Sequence, residues 1–399
     1  MPSAQFISSV AANLAYWCDH EGLADPRAWP ALDRERRNLF QAVEYGLQLP
    51  QTWSAAADLA LKSYTYVFER GYWSEWTPVL EQALSACPDE NSAVKWRLAQ
   101  QLGSFYRRLR RLDDAEAFHE QAEAVARSLG DPLLVARAQL GLGRVHFRRR
   151  HYDQAERYAR LALAGFEALG TCLNLVANTC NLLGNIAVGR GDYDESTEHF
   201  YRARDLFRQA QVPIELGRTN VNLYEALGRL GRTQEALALF EEAATIFSTY
   251  DLYLERSRLY VNLGFLHYSQ DDLAQAEAAF REAYTPAIRR AGPIYLRSLI
   301  EMNLGNLLLL KGAFEESRTY FLSAVAGFRQ TNARAMLANS LDGLAEIAMV
   351  TGKNEEALAL YEEALAIVTA IPEDAFANRM EKRFRGLLEE LQTKSSGGH

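Results

Sequence analysis

The chain repeats itself. Seven segments, among them QLGSFYRRLRRLDDAEAFHEQA, LLGNIAVGRGDYDESTEHFYRA and NLGNLLLLKGAFEESRTYFLSA, fall into one frame. Their anchors are Gly103, Gly143, Gly184, Tyr224, Gly264, Gly305 and Ala345, separated by 40, 41, 40, 40, 41 and 40 residues. Twelve positions after each anchor the residue is small (Ala115, Ala155, Ser196, Ala236, Ala276, Ser317, Ala357). Nineteen positions after each it is alanine (Ala122, Ala162, Ala203, Ala243, Ala283, Ala324, Ala364). Units of this size cannot bury an apolar face alone and must stack on their neighbours. A length of 399 residues would otherwise allow two or three independent domains; the repetition selects an elongated array.

The residue types follow from helix packing. Where two helices cross, Gly or Ala lets the backbones approach, and a ring one turn away fills the space beside the contact. Phe200, Phe240, Phe280, Phe321 and Tyr361 stand four positions after the first of the two small residues, whereas His119 and Ala159 hold that place in the first two units. Each unit reads as two amphipathic helices joined by a short turn, for example 293–311 and 313–330. Strand signals are absent, so the fold class is all-α.

This pattern resembles the tetratricopeptide repeat (TPR) family, with leucine and glycine in the first helix and alanines around an aromatic in the second. The resemblance covers about residues 51–370 and implies a right-handed superhelix of helical hairpins. The period departs from the common 34 residues. The six extra residues lengthen each helix by about 4.5 Å at 1.5 Å per residue. Repeats of this length occur in kinesin light chains and in bacterial STAND regulators, signal-transduction NTPases with many domains.

The expected organisation is an N-terminal helical segment (1–50), a degenerate repeat (51–90), seven repeats (91–372), a C-terminal capping helix (373–394) and a disordered tail (395–399). In the degenerate repeat Tyr64 takes the anchor place, Trp76 the first small position and Ala83 the second. Upstream, Asp33 is placed near a helix start, with Leu39, Phe40, Val43 and Leu47 as its apolar stripe. The run DRERRNLFQAVEYGL resembles the junction where a STAND regulator passes into its repeats. No GxxxxGK[ST] occurs in the sequence, so the resemblance implies a sensor or scaffold arm without its NTPase.

A helical array offers one periodic surface, and the exposed stripe of each first helix decides what it binds. Six positions before the anchors stand Arg97, Arg137, Arg218 and Arg258; two before stand Asn222, Asn262 and Asn303; one after stand Arg144, Asn185 and Asn306. These ten are the candidate partner-binding residues, with Arg107, Arg108, Phe147, Arg148 and Arg229 beside them. Guanidinium forks suit carboxylates or phosphates, and an asparagine amide offers one donor and one acceptor to an extended backbone. The runs YRRLRR and FRRRH lie at first-helix ends, where cations interact favourably with the helix dipole, and are read as solvated ends rather than a nucleic-acid patch.

The formal net charge of −8 argues against a protein that coats nucleic acid, although residues 97–160 carry thirteen arginines against eight acids. The seven histidines and four cysteines show no HExxH, CxxC or zinc spacing, so neither metal nor cofactor is expected, and the thiols read as buried. No catalytic constellation is present, and the chain is not expected to be an enzyme. No membrane span or signal peptide is evident, and a cytoplasmic location is the expectation. The function expected is recognition of a protein or peptide, acidic or extended, in the concave groove. The alternatives are a free-standing peptide-pheromone receptor, since the chain resembles the free-standing bacterial TPR regulators in length and N-terminal helices, and a self-associating scaffold whose groove is filled by its own termini or a second copy.

Overall fold

The computed structural model describes residues 2–88, 92–170, 173–371 and 375–396. It divides into two compact units, Met1–Asp251 and Leu252–His399. The helices of unit 1 are α1 (Ala4–Cys18), α2 (Trp29–Leu47), α3 (Trp53–Lys62), α4 (Tyr64–Arg70), α5 (Trp73–Ser85), α6 (Ser92–Arg108), α7 (Leu112–Ser128), α8 (Pro132–Arg148), α9 (Tyr152–Leu169), α10 (Leu173–Arg190), α11 (Tyr193–Gln209), α12 (Pro213–Arg229) and α13 (Thr233–Thr249). Unit 2 holds α14 (Tyr253–Ser269), α15 (Leu273–Ala283), α16 (Pro286–Ala291), α17 (Ile294–Leu310), α18 (Phe314–Gln330), α19 (Arg334–Val350), α20 (Asn354–Thr369) and α21 (Ala375–Ser396). The fold is an all-α, TPR-type solenoid, and no strand occurs among the described residues.

Every first helix ends in the same way. Seven residues after each anchor the backbone turns left-handed, at Arg110, Arg150, Gly191, Gly231, Asp271, Gly312 and Gly352, with φ between 61° and 89°. The next amide then bonds back across the turn, as Arg111 N–H does to the Tyr106 carbonyl (3.0 Å) and Lys353 N–H to that of Ala348 (2.8 Å). These are Schellman closures, which satisfy carbonyls that a helix end would leave open. The chain therefore reverses at one fixed place per repeat, and the second helix starts in register.

Helices approach closely at the anchors and two positions before them. A Cβ added to Gly184 would lie 2.5 Å from Phe200, and one added to Gly343 would lie 2.2 Å from Phe321. In the first repeat His119 takes the ring's place, wedged where a Cβ on Gly103 or Gly141 would meet it at 2.7 and 2.4 Å. Phe200, Phe280, Phe321, Tyr361 and His119 are all buried. Neighbouring repeats are also linked at their surface, where Arg149 pairs with Glu116 and Asp113, and Arg190 with Glu156 and Asp153. Lys311 and Glu277 repeat that geometry in unit 2.

Three expectations need correction. The second helix of the fifth repeat is not continuous. It stops at Ala283, and Thr285 caps a new helix that Pro286 opens, its hydroxyl accepting from Ile288 N–H; Pro286 has no N–H for a continuing helix. Asp33 does not start a helix, because α2 begins four residues earlier at Trp29. Its carboxylate lies inside α2 and accepts from the hydroxyls of Tyr66 (2.9 Å) and Tyr72 (2.8 Å) and from Arg70, tying α2 to α4. Burial raises the Asp33 pKa, but Arg70, Tyr72 and Tyr66 outweigh it, and the net direction is down. Finally, α21 runs to Ser396, into the stretch expected to be a disordered tail; residues 397–399 of that tail lie outside the described residues.

The helix α21 packs on α20, with Phe384 fully buried and its ring 5.8 Å from that of Tyr361. Arg383 of α21 pairs with Asp342 and Glu346 of α19. The Asp342 carboxyl is pushed up to about 6, by burial first, against the pull of Arg383. Among the described cysteines Cys180 is buried, as expected, whereas Cys18 and Cys87 are only half-buried, all as free thiols. Cys172 lies outside the described residues.

Candidate ligand-binding site

In unit 1 the first helices curve round a common space. The mark of that curvature is an ion pair between residues far apart in sequence: Arg218 on α12 reaches Glu69 on α4, with Nη1 3.0 Å from Oε1. A second carboxylate, Glu215, lies 2.9 Å from the same guanidinium. The short helix α4 thus stands against the inner face formed by α6, α8 and α12.

α4 brings rings as well as charge. Tyr64 lies 5.3 Å from Phe105 of α6, and Phe68 lies 6.0 Å from it. The Arg108 guanidinium sits 4.6 Å above the Phe68 ring and 5.6 Å from that of Trp73. The Ser104 hydroxyl, beside Tyr64, donates to the Gln100 carbonyl of its own helix (3.1 Å). Cations over aromatic faces gain about 0.5–2 kcal/mol each, so Arg108 has a fixed seat although it forms no ion pair among the described residues.

The arginines here compete for too little negative charge. Among the described residues, Arg107, Arg108 and Arg144 have no carboxylate within ion-pair distance, and Arg144 bonds instead to the Asn178 amide oxygen at 3.0 Å. The Nε atoms of Arg107 and Arg108 are shut off from solvent without an acceptor. Burial first, then repulsion from Arg144 and Arg108, pushes the Arg107 guanidinium well down; burial also lowers Arg108 and Arg144, against the pull of Glu69 on Arg108 and of Glu215 on Arg144. His119, beneath them, is pushed down to about 3 by burial and by Arg107 and Arg144. Its Nδ1 lies 3.0 Å from Gln100 Oε1, and its ring is neutral at pH 7.

The reading of the two arginine runs as solvated helix ends therefore holds for Arg110, Arg111, Arg148 and Arg150, which are exposed, and is corrected for the other three. Arg107 and Arg108 point inward, and Arg149 serves the inter-repeat ion pairs.

Of the ten candidate residues, the structure gathers Arg144 and Arg218 into this cluster. Arg97 and Arg137 are exposed on their helices, Arg137 lying 5.4 Å from the Trp96 ring. Asn185 is half-buried and donates to the Asn181 carbonyl of its own helix (2.9 Å). Asn222 is half-buried on α12. In unit 2 Arg258 is exposed, Asn262 and Asn306 are half-buried, and Asn303 is buried, donating to the Leu299 carbonyl (2.7 Å). Glu69, Tyr64, Phe68 and Trp73 were not anticipated, because nothing local in YTYVFERGYW marks that stretch as the partner of a helix about 150 residues away.

The family model described as tetratricopeptide repeat matches residues 96–168, 215–285 and 296–373, more than half of the chain. The chain belongs to the tetratricopeptide repeat family. No curated protein matches the sequence. Among solved structures, this TPR chain is similar to a Signal Transduction ATPase with Numerous Domains (STAND) protein with a tetratricopeptide repeat sensor from Pyrococcus horikoshii. The TM-score is 0.62 at 12% identity, over 88% of this chain and 55% of that one. It is also similar to aspartyl phosphate phosphatase F from Bacillus subtilis (TM-score 0.53, 15% identity, 92% and 95% covered). A third similar structure is a Rap protein complexed with competence and sporulation factor (TM-score 0.53, 14% identity, 92% and 99% covered). At these identities the likeness is one of fold. No helix among the described residues is long and apolar enough to cross a membrane.

Proposed function

We propose that this TPR chain is the ligand-sensing or scaffold arm of a STAND-like signalling regulator, taking an acidic, extended stretch of a protein or peptide on the inner face of its first helices. The observation that carries the reading is the trio Arg107, Arg108 and Arg144, three guanidiniums in one partly buried space that form no ion pair among the described residues, the nearby Glu69 and Glu215 being paired with Arg218. Buried charge is normally paired, so a surplus of this kind favours a partner that brings the missing anion. The STAND protein of similar fold carries its repeats as a sensor. A free-standing peptide receptor is the second reading, supported by the Rap protein of similar fold, which is complexed with competence and sporulation factor and matches over nearly its whole length.

Fluorescence anisotropy with short labelled peptides tests the acidic-partner reading. Acidic peptides bind and weaken as salt rises, basic ones do not, and Arg144→Ala reduces affinity by roughly 1.5–3 kcal/mol, the worth of one charge-assisted hydrogen bond. Binding indifferent to peptide charge would overturn it.

A further inference from the structure

The charge balance inside unit 1 says more about the ligand than that it is acidic. Arg107, Arg108, Arg144 and Arg218 face one another across the inner space, and the carboxylates opposed to them among the described residues are Glu69 and Glu215, both of which are engaged by Arg218. Arg107, Arg108 and Arg144 thus bring three positive charges with no ion pair of their own among the described residues, and Glu69 and Glu215 act on Arg108 and Arg144 only from beyond ion-pair distance. One peptide carboxylate would neutralise only part of that charge. A phosphate monoester carries about −1.5 to −2 at pH 7 and three acceptor oxygens, which covers more of that charge and matches the number of forks without an ion pair.

The setting favours a compact anion over a flexible acidic chain. α4 walls one side of the space with the rings of Tyr64 and Phe68, and Glu69 already holds Arg218. Arg108 is stacked on Phe68 and near Trp73, and Arg144 is held by Asn178, so two of the forks are seated before any ligand arrives. Planar guanidiniums fixed by stacking and hydrogen bonds lose little freedom when they grip a phosphate bidentately. We propose that Arg107, Arg108 and Arg144 form a binding site for the phosphate group of a small phosphorylated ligand, with Arg218 and Glu69 at its edge. This rests on the acidic-partner reading and names its chemistry. Burial disfavours the charge of all three guanidiniums, and Arg144 and Arg108 also repel Arg107; an anion bound among them offsets both, so occupancy also stabilises unit 1.

The full chain is titrated by calorimetry and by thermal melts with inorganic phosphate and with pyrophosphate, against chloride at matched ionic strength. The expected result is saturable binding and a raised melting temperature with the phosphates only. Arg107→Gln and Arg144→Gln each weaken binding by roughly tenfold or more, as loss of one charge-assisted bond implies. Each variant also melts no lower than wild type without ligand, because a repelling charge has gone. Arg107→Lys, which keeps charge but not the fork, binds more weakly than wild type and guards against a misfolded Gln variant. A response to phosphate no greater than that to chloride, or one unchanged in both Gln variants, overturns the site. If acidic peptides bind the wild type while phosphate and pyrophosphate do not, the phosphate site fails and the acidic-partner reading stands. If the phosphates bind and acidic peptides do not, the site stands and the peptide is discarded as its occupant.

Discussion

A single carboxyl in unit 2 couples stability to pH. Asp342 holds its proton up to about 6 in the folded chain, against an ordinary value of 3.8, because burial disfavours its charge more than Arg383 favours it. Between those two values the folded state binds more protons than the unfolded one. The contribution of Asp342 to stability is therefore fully present below pH ~4 and is lost as pH rises through about 6. The two-unit difference is worth roughly 3 kcal/mol. Asp342→Asn, which leaves Arg383 its pair with Glu346, is expected to be more stable than wild type at pH 7.5 and to lose that advantage by pH 4. Urea midpoints of the two proteins at both pH values check this; a gap that ignores pH would rule out the carboxylate as its source. The partial legibility of single residues has the same physical origin. His119 announced its place by standing where rings stand in other repeats, whereas the inward turn of Arg107 and Arg108 depends on curvature accumulated over several repeats. The donation of Asn303 to Leu299 is equally silent in the sequence, since an asparagine written one turn after any residue can bond back or project outward.

The elements are held in step by their turns. The left-handed residue seven after each anchor is glycine in four repeats but arginine or aspartate in the others, among them Arg150 at φ 62°. A side chain in that conformation costs roughly 1–2 kcal/mol relative to glycine, which adopts it freely. Arg150 is exposed, so Arg150→Gly gives up little and is expected to raise stability by about 1 kcal/mol. The reverse change, Gly231→Ala at φ 74°, is expected to lower it by a similar amount. Chemical denaturation of both variants reads the pair, and shifts of the same sign would contradict the turn as the cause. Helix positions were legible here because the period is rigid, and that same regularity hid the break at Thr285 and Pro286. Both residues carry the usual marks of a new helix start, a capping hydroxyl followed by proline, yet aligning this unit with its neighbours reads straight through them.

At the scale of the molecule, unit 1 is drawn round by contacts that no local pattern contains. Glu69 is a partly buried partner of Arg218, with side-chain exposures of 12% and 21%, so the pair is screened less than a surface bridge. Glu69→Gln is expected to release α4 from the inner face. Hydrogen exchange at the α4 amides should accelerate by roughly tenfold or more, since losing a charge-assisted bond is worth about 1.5–3 kcal/mol, while α19 and α20 exchange as before. Unchanged exchange in α4 would show that its rings alone hold it.

The same helix sets terms for any visitor. Because Glu69 is tethered beside Arg218 by the chain itself, it competes as though present at an effective concentration on the order of millimolar. An anion arriving from solution at lower concentration and similar intrinsic affinity leaves that arginine occupied, and the contest is decided at Arg107, Arg108 and Arg144, which hold no ion pair among the described residues.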